Sequence, residues 1–216
     1  MNKKKPQKRI HWHHLLARMF NDLLNPLGVE VTFDFNLMAK TPQGDILLIR
    51  RETPEWTEEQ LERLPDGIRD TNAEQILLEF KYTESVNAKA FEQAISYVYF
   101  YRSSNKKLKE EQIKTFILSS KTPSNATKTE FGYSQLIKNG VYKSNNPLLK
   151  NITLICINDL DDEPHNYFIK CFASKQNERN KALDNLKKWS KFKLNWISQE
   201  LLYYLGGIVS IFFFFF

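Results

Sequence analysis

The sequence has few cysteines, and their positions exclude two kinds of small protein. Cys156 and Cys171 are the only two among 216 residues, so they form neither a disulfide framework nor a zinc site built on paired cysteines. Cys156 lies in an apolar run and Cys171 in a helical pattern, which predicts two core thiols in a reducing compartment. We therefore expect a cytoplasmic protein that is stabilised by a hydrophobic core.

The sequence also lacks a secretory signal and a full-length membrane span. Its basic start leads into His-Trp-His-His and an amphipathic stretch instead of an apolar signal segment. The longest apolar run is LLYYLGGIVSIFFFFF, sixteen residues, whereas a helix that crosses a bilayer needs about 20. We do not expect a membrane protein. Two interpretations of this run stay open, a marginal tail anchor and an accidental chain end.

The sequence has no internal repeat and no second apolar core. With 216 residues and 42% apolar content, the chain can bury one good core. We predict a disordered basic tail over residues 1–9, a single domain over residues 10–192, and a hydrophobic tail over residues 193–216. The role of that last segment is left open.

The net charge of +6 is spread unevenly. Residues 106–150 carry nine lysines and three acids, and residues 175–193 carry seven bases and two acids. Residues 51–79 are the reverse, with nine acids and three arginines. An acidic centre between basic flanks suits a cation-binding site that faces a polyanion. Solvated helix faces and a disordered basic arm explain the same charges, so charge alone decides nothing.

Hydrophobic periodicity predicts the order helix, three strands, helix, strand. Strands are predicted over residues 29–38, 46–49, 76–82, 113–118 and 151–157, and helices over residues 10–25, 57–64, 87–102, 127–138 and 164–191. The first two strands form a hairpin across the turn Thr41–Asp45, and the helix over residues 87–102 has a broad apolar face that includes Phe91 and Tyr99. This order predicts an α/β fold in which helices flank a mixed central sheet, with a basic helical extension at the end.

Glu79 and Lys81 lie on one face of the third predicted strand, because successive side chains of a strand alternate. Phe80 and its neighbours face the core on the other side. Burying a carboxylate and an ammonium costs several kcal/mol unless partners match them. We therefore expect this pair to serve chemistry rather than packing.

Asp45 is the predicted partner of this pair. If the second and third strands are antiparallel, with paired positions adding to about 126, Asp45 lies opposite Glu79 to Lys81. Two neighbouring carboxylates repel unless a cation lies between them, and oxygen ligands suit Mg²⁺ or Mn²⁺. The backbone carbonyl of Phe80 is a third candidate ligand. With Lys81 beside the nucleophile, this arrangement predicts metal-assisted phosphodiester hydrolysis.

A second acidic candidate, Asp66, lies in the stretch LPDGIRDTNAEQILLEFKYTES. Asp66 stands between Pro65 and Gly67, and Pro-Asp-Gly is a strong turn signal. We interpret Asp66 as a turn residue. The alternative is that residues 67–74 fold back and bring Asp66 or Asp70 to the metal.

Together these motifs resemble the PD-(D/E)xK nuclease superfamily, which includes restriction endonucleases. Asp45 matches its aspartate, Glu79 and Lys81 its acid-x-Lys, and Gln93 with Tyr97 its Q-x-x-x-Y. The flanking text is similar to a bacterial branch that we relate to recombination-promoting, transposase-related nucleases. The resemblance implies a restriction-endonuclease-like αβββαβ core, catalytic roles for these five residues, and a Mg- or Mn-dependent nuclease acting on DNA.

The sequence departs from that family in its first helix. Many members carry a Glu or His there near the metal, but no Glu lies between Ile10 and Asn25. His14 is the histidine best placed by reach, and we interpret it as a surface or helix-cap residue. A catalytically inactive nuclease-fold protein that binds nucleic acid or a protein partner is therefore the alternative function. The resemblance also makes a homodimer an open expectation.

Substrate specificity is not encoded in these motifs, which do not distinguish DNA from RNA or endonuclease from exonuclease. The connection Glu52 to Ala73, 22 residues long, is the expected place for it, because it is long for a strand connection.

Overall fold

The computed structural model describes residues 12–32 and 46–193, with backbone alone for residues 46, 47 and 189–193. Several predicted features lie outside the described residues. These are the basic tail, the end of the first strand, the turn that contains Asp45, and the apolar tail from residue 194 onward.

The described residues form six α-helices and seven strands. The helices are α1 (Trp12–Leu24), α2 (Glu58–Leu61), α3 (Ala88–Ser104), α4 (Asn125–Glu130), α5 (Tyr167–Lys170) and α6 (Gln176–Lys193). The strands are β1 (Val29–Thr32), β2 (Ile46–Arg51), β3 (Gln75–Lys81), β4 (Ile113–Ser119), β5 (Gln135–Lys138), β6 (Val141–Lys143) and β7 (Ile152–Cys156). Apart from the short α2, the chain begins with the predicted order of helix, three strands, helix and strand.

All seven strands belong to one mixed sheet in the order β1-β2-β3-β4-β7-β6-β5. The central strands β3, β4 and β7 are parallel, and the outer pairs are antiparallel. The antiparallel pairing of β2 with β3 is as predicted. Its register pairs Ile46 with Glu79, so paired positions add to 125, one less than expected.

Helices cover both faces of the sheet, as the α/β prediction requires. On one face Leu78 and Phe80 pack with apolar residues of α1 and α6. On the other face Leu77 packs against Tyr101 of α3, and Ile117 against Phe91 of the same helix. The alternation predicted for β3 is therefore confirmed, and the face that carries Glu79 is covered by α3 rather than open to solvent.

Two predictions about individual elements are wrong. Tyr99 is 66% exposed, so the apolar face of α3 does not include it. The helix predicted over residues 127–138 ends at Glu130 as α4, and the chain continues as the hairpin β5–β6. The two-residue connection of that hairpin is Asn139-Gly140, with Gly140 at a φ of 76°, which is typical of a tight hairpin turn.

The long connection between β2 and β3 is anchored to the α1 side of the sheet. A capping box at Thr57 begins α2, and this helix ends at Leu61, before the predicted residue 64. Gln60 Nε2 donates to the carbonyl of Leu27 at 2.9 Å, and Arg63 Nη1 to that of Leu23 at 2.8 Å. Because Leu64 and Ile68 are also fully buried, this connection is part of the core.

The two cysteines are free and buried, which confirms the predicted core thiols. Burial raises the pKa of both thiols to about 12, so they are protonated and unreactive at neutral pH. Among the described helices, none combines the length and apolar character that crossing a bilayer requires.

Candidate active site

The carboxylate of Glu79 and the ammonium of Lys81 form a buried ion pair at the end of β3. Lys81 Nζ lies 2.6 Å from Glu79 Oε1. The Glu79 side chain is 1% exposed and that of Lys81 14% exposed. Both charges are thus largely removed from water. Electrostatic interactions are stronger in the low-dielectric interior than in water. The predicted pairing on one strand face is what brings them together.

Gln93 and Tyr97 of α3 extend this pair into a hydrogen-bonded chain. Lys81 Nζ donates to Gln93 Oε1 at 3.1 Å, and Gln93 Nε2 donates to the hydroxyl of Tyr97. Residues four apart on a helix lie on the same side, so the Q-x-x-x-Y spacing aligns both side chains with the strand. The structure therefore brings together the side chains of four predicted site residues, which are Glu79, Lys81, Gln93 and Tyr97.

The backbone carbonyl of Phe80 accepts a hydrogen bond from His13 of α1. His13 Nε2 lies 2.8 Å from this oxygen, which assigns the ring proton to Nε2. His14, expected to be better placed by reach, is exposed instead. The helical pattern could have identified His13, because it stands three, four and seven residues before the buried Leu16, Ala17 and Phe20.

Aromatic rings close the α1 side of this site. Trp12 stacks on Tyr82 with ring centroids 3.8 Å apart, and Phe80 meets Phe172 edge to face at 5.6 Å. Burial raises the pKa of Tyr82. These contacts hold the end of β3 against α1, so the carbonyl of Phe80 has a fixed direction.

Asp45 lies outside the described residues, and its role stays a prediction. The residue that follows it, Ile46, is paired with Glu79. The described residues contain no group of three or more His, Cys, Asp or Glu side chains that could hold a metal ion. The carboxylate of Glu79 and the carbonyl of Phe80 are nevertheless the hard oxygen donors that Mg²⁺ and Mn²⁺ prefer.

Asp66 lies on the other face of the sheet from Glu79. A Cβ added to the neighbouring Gly67 would meet the side chain of Ile155 at 2.9 Å, and Ile155 belongs to the same apolar cluster as Phe80. The turn interpretation is confirmed, since Gly67 has a φ of 86°. Asp66 and Asp70 both contact Lys138 on β5, and their delivery to the metal stays a prediction.

Asp66 nevertheless does more than make a turn. Lys138 Nζ lies 2.9 Å and His165 Nε2 3.2 Å from Asp66 Oδ1, and Asn166 Nδ2 donates to Oδ2 at 2.8 Å. Burial by itself would raise the pKa of Asp66, but the hydrogen bonds from His165, Asn166 and Lys138 outweigh it and hold this pKa well below its usual range. Asp66 is therefore an ionised, buried structural residue.

Comparison of the chain with protein-family models, with curated proteins and with solved structures gave no match. The geometry of Glu79, Lys81, Gln93 and Tyr97 is therefore the structural basis for a proposed function.

Proposed function

We propose that this protein is a metal-dependent nuclease that hydrolyses phosphodiester bonds of DNA and has a restriction-endonuclease-like core. The observation that carries the proposal is the buried Glu79–Lys81 ion pair, continued by hydrogen bonds to Gln93 and Tyr97. A chain seldom buries two charges for packing, because the desolvation cost is several kcal/mol per ion. The element order from α1 to β4 and the resemblance to PD-(D/E)xK nucleases support the same function.

In this proposal Asp45, Glu79 and the carbonyl of Phe80 hold Mg²⁺ or Mn²⁺. The bound ion supplies charge neutralisation at the phosphodiester and a more acidic water. His13 fixes the peptide that carries the Phe80 carbonyl, at 2.8 Å. This fixed peptide keeps one ligand oriented before substrate arrives, which lowers the cost of assembling the site.

Lys81 is the residue that acts on the substrate. Its ammonium has three N–H donors, of which one is directed at Glu79 and one at Gln93. The third can reach a phosphate oxygen or the attacking water and offset the negative charge that develops there. Gln93 and Tyr97 are positioning residues, because they act on the substrate only through Lys81.

Cleavage of supercoiled plasmid DNA in Mg²⁺ or Mn²⁺ tests the proposal. We expect nicked and linear products from the wild type, and at least about a hundredfold slower cleavage by Asp45→Ala, Glu79→Gln and Lys81→Met. Glu92→Gln is the matched control, because Glu92 is exposed beside Gln93 on α3. Cleavage that persists in the Glu79 and Lys81 variants would reject the proposal, provided that circular dichroism shows all variants folded.

A nuclease-fold protein that binds without cutting is the second candidate. It is favoured by the 2.6 Å contact between Lys81 and Glu79, because the chain itself already neutralises this carboxylate. Calorimetric titration with Mn²⁺ separates the two candidates. Micromolar binding that Glu79→Gln abolishes supports the nuclease, whereas the absence of both binding and cleavage supports the second candidate.

A further inference from the structure

An open cleft of about 550 Å³ lies between the second half of α3 and the segment that leads into β7. Its apolar lining includes Val98 and Ile152. Two large apolar side chains stand at its edge, Tyr99 at 66% exposure and Leu148 at 74%. These are the two most exposed large apolar side chains in the described part of the chain. The cleft therefore has an apolar patch that is exposed to solvent.

The exposure of Leu148 is built into its loop. The hydroxyl of Ser144 accepts from the backbone N–H of Asn146 at 3.0 Å. The side-chain oxygen of Asn146 accepts from the backbone N–H of Leu148, also at 3.0 Å. The next residue, Leu149, is buried. The loop thus presents Leu148 in a fixed position, which reduces the entropy that a ligand would have to remove on binding.

The charged residues of the cleft are mostly cations. Arg102, Lys106 and Lys150 line it, with Glu110 as the single carboxylate of the lining. Glu110 is 3.9 Å from Arg102 and 3.6 Å from Lys150, and Lys106 stands outside these two ion pairs. The cleft therefore has a net positive charge beside its apolar surface.

This cleft is separate from the candidate active site. Ile95 and Val98 pack on the β7 side of α3, whereas Tyr97 packs on the side of Leu48 and Leu77. Gln93 and Arg102 are also nine residues apart, or about 14 Å along the helix. Variants in the cleft can therefore be made without changing the Glu79 site.

We infer that the cleft binds an unpaired nucleic-acid strand, with a base stacked on Tyr99 and phosphates at Arg102, Lys106 and Lys150. Single strands are bound by basic grooves that carry exposed aromatic rings, because every base has a flat face that can stack. The inference rests on the proposed function, since it names a second contact for the same polymer. A purely apolar partner would leave the net positive charge of the cleft without a counter-charge.

Fluorescence anisotropy with a labelled oligothymidylate in EDTA tests the inference on the full chain. We expect Tyr99→Ala to weaken binding about tenfold and Tyr99→Phe to bind like the wild type. In the double variant Arg102→Ala with Lys106→Ala, the slope of log affinity against log salt should fall by about 1.4, or 0.7 for each lost phosphate contact. Lys188→Ala is the control, because Lys188 is exposed on α6.

Two outcomes would overturn the inference. One is an affinity that Tyr99→Ala and the double variant leave unchanged. The other is a chain that is dimeric by light scattering and becomes monomeric with Tyr99→Ala, while oligonucleotide binding is unaffected. Both are distinct from failure of the proposed function, because they leave Glu79-dependent cleavage intact. Conversely, Tyr99-dependent binding without any cleavage would retain the cleft and reject the nuclease.

Discussion

The carboxylate of Asp66 connects three parts of the chain that are far apart in sequence. Lys138 reaches it from β5, and His165 and Asn166 reach it from the turn before α5. Its side chain is only 7% exposed, and a buried charge without partners is strongly destabilising. The stability of this region therefore depends on Asp66 keeping both its charge and its donors.

We expect Asp66→Asn to lower the free energy of unfolding by about 2 kcal/mol, because hydrogen bonds to a charged group are worth more than those to a neutral amide. Urea denaturation monitored by circular dichroism measures the change. Asp70→Asn is the matched control, since Asp70 also binds Lys138 but is 37% exposed. Equal effects of the two variants would contradict a special role for the buried carboxylate.

The same stabilisation should depend on pH. The folded-state pKa of Asp66 lies below the usual value of 3.8, so ionised Asp66 stabilises the fold above that pH and the stabilisation is lost as the pH falls below it. The difference in stability between wild type and Asp66→Asn should thus shrink between about pH 5 and pH 3. A difference that stays constant over this range would contradict the assigned pKa shift.

Gln93 gives a third prediction at the residue scale, and it depends on the proposed function. Gln93→Leu removes the acceptor that lies 3.1 Å from Lys81 Nζ, while the side chain keeps a similar size. We expect cleavage to slow by roughly tenfold, which is less than for Lys81→Met, because Lys81 remains but is less well oriented. Tyr97→Phe should have a smaller effect in the same plasmid assay, and an effect as large as that of Lys81→Met would make Gln93 more than a positioning residue.

The alternation along β3 predicted that Glu79 and Lys81 share a strand face, whereas Gln93 and Tyr97 were expected only from the resemblance to PD-(D/E)xK nucleases. Neither source indicated the residues around Asp66. The donors to Asp66 are 72 to 100 residues away in sequence, so no local pattern indicates them. A tertiary contact of this length requires the fold to be known.

At the scale of elements, the start of α3 determines where Gln93 and Tyr97 lie. Asn87 caps this helix, and its side chain accepts from the backbone N–H of Ala90 at 3.2 Å. We expect Asn87→Ala to cost about 1 kcal/mol in thermal or urea denaturation. Lys89→Ala, an exposed change in the same first turn, should change stability by less than about 0.5 kcal/mol. Equal losses of stability in Asn87→Ala and Lys89→Ala would mean that the cap hydrogen bond does not account for the effect of the Asn87 change.

The hairpin β5–β6 shows why short edge strands are difficult to predict. All four residues of β5 are exposed, so no apolar alternation indicates a strand. The available signal was the dipeptide Asn139-Gly140, which is typical of a two-residue hairpin turn. Gly140 also fits for a second reason, because a Cβ there would lie 2.8 Å from the carbonyl oxygen of Cys156.

For the whole molecule, the α/β class was predicted from the order of helices and strands, and the burial of the central strands agrees with it. β4 and β7 are buried along almost their full length, which is typical of parallel strands covered on both faces. The sheet order could not be predicted, because it depends on which strand edges meet after the helices have packed. The β3–β4–β7 arrangement is a property of the assembled chain.

This layout predicts where stability is most sensitive to the truncation of a side chain. Phe116 lies on the central strand β4 and is 1% exposed, so Phe116→Ala should cost about 3–5 kcal/mol in urea denaturation. Leu136, on the edge strand β5, is 52% exposed, and Leu136→Ala should cost less than about 0.5 kcal/mol. A large loss from the Leu136 change would mean that β5 is covered in solution.

The contacts of Asp66 also have a kinetic consequence. The Asp66–Asn166 pair closes a separation of 100 residues, and contacts of such length form late because the loop entropy must be overcome first. We expect Asp66→Asn to accelerate unfolding in stopped-flow experiments and to leave the folding rate unchanged. Slower folding with an unchanged unfolding rate would contradict this order of events. If Asp66→Asn accelerates unfolding alone, Asp66 determines how long the folded chain persists, rather than how quickly it forms.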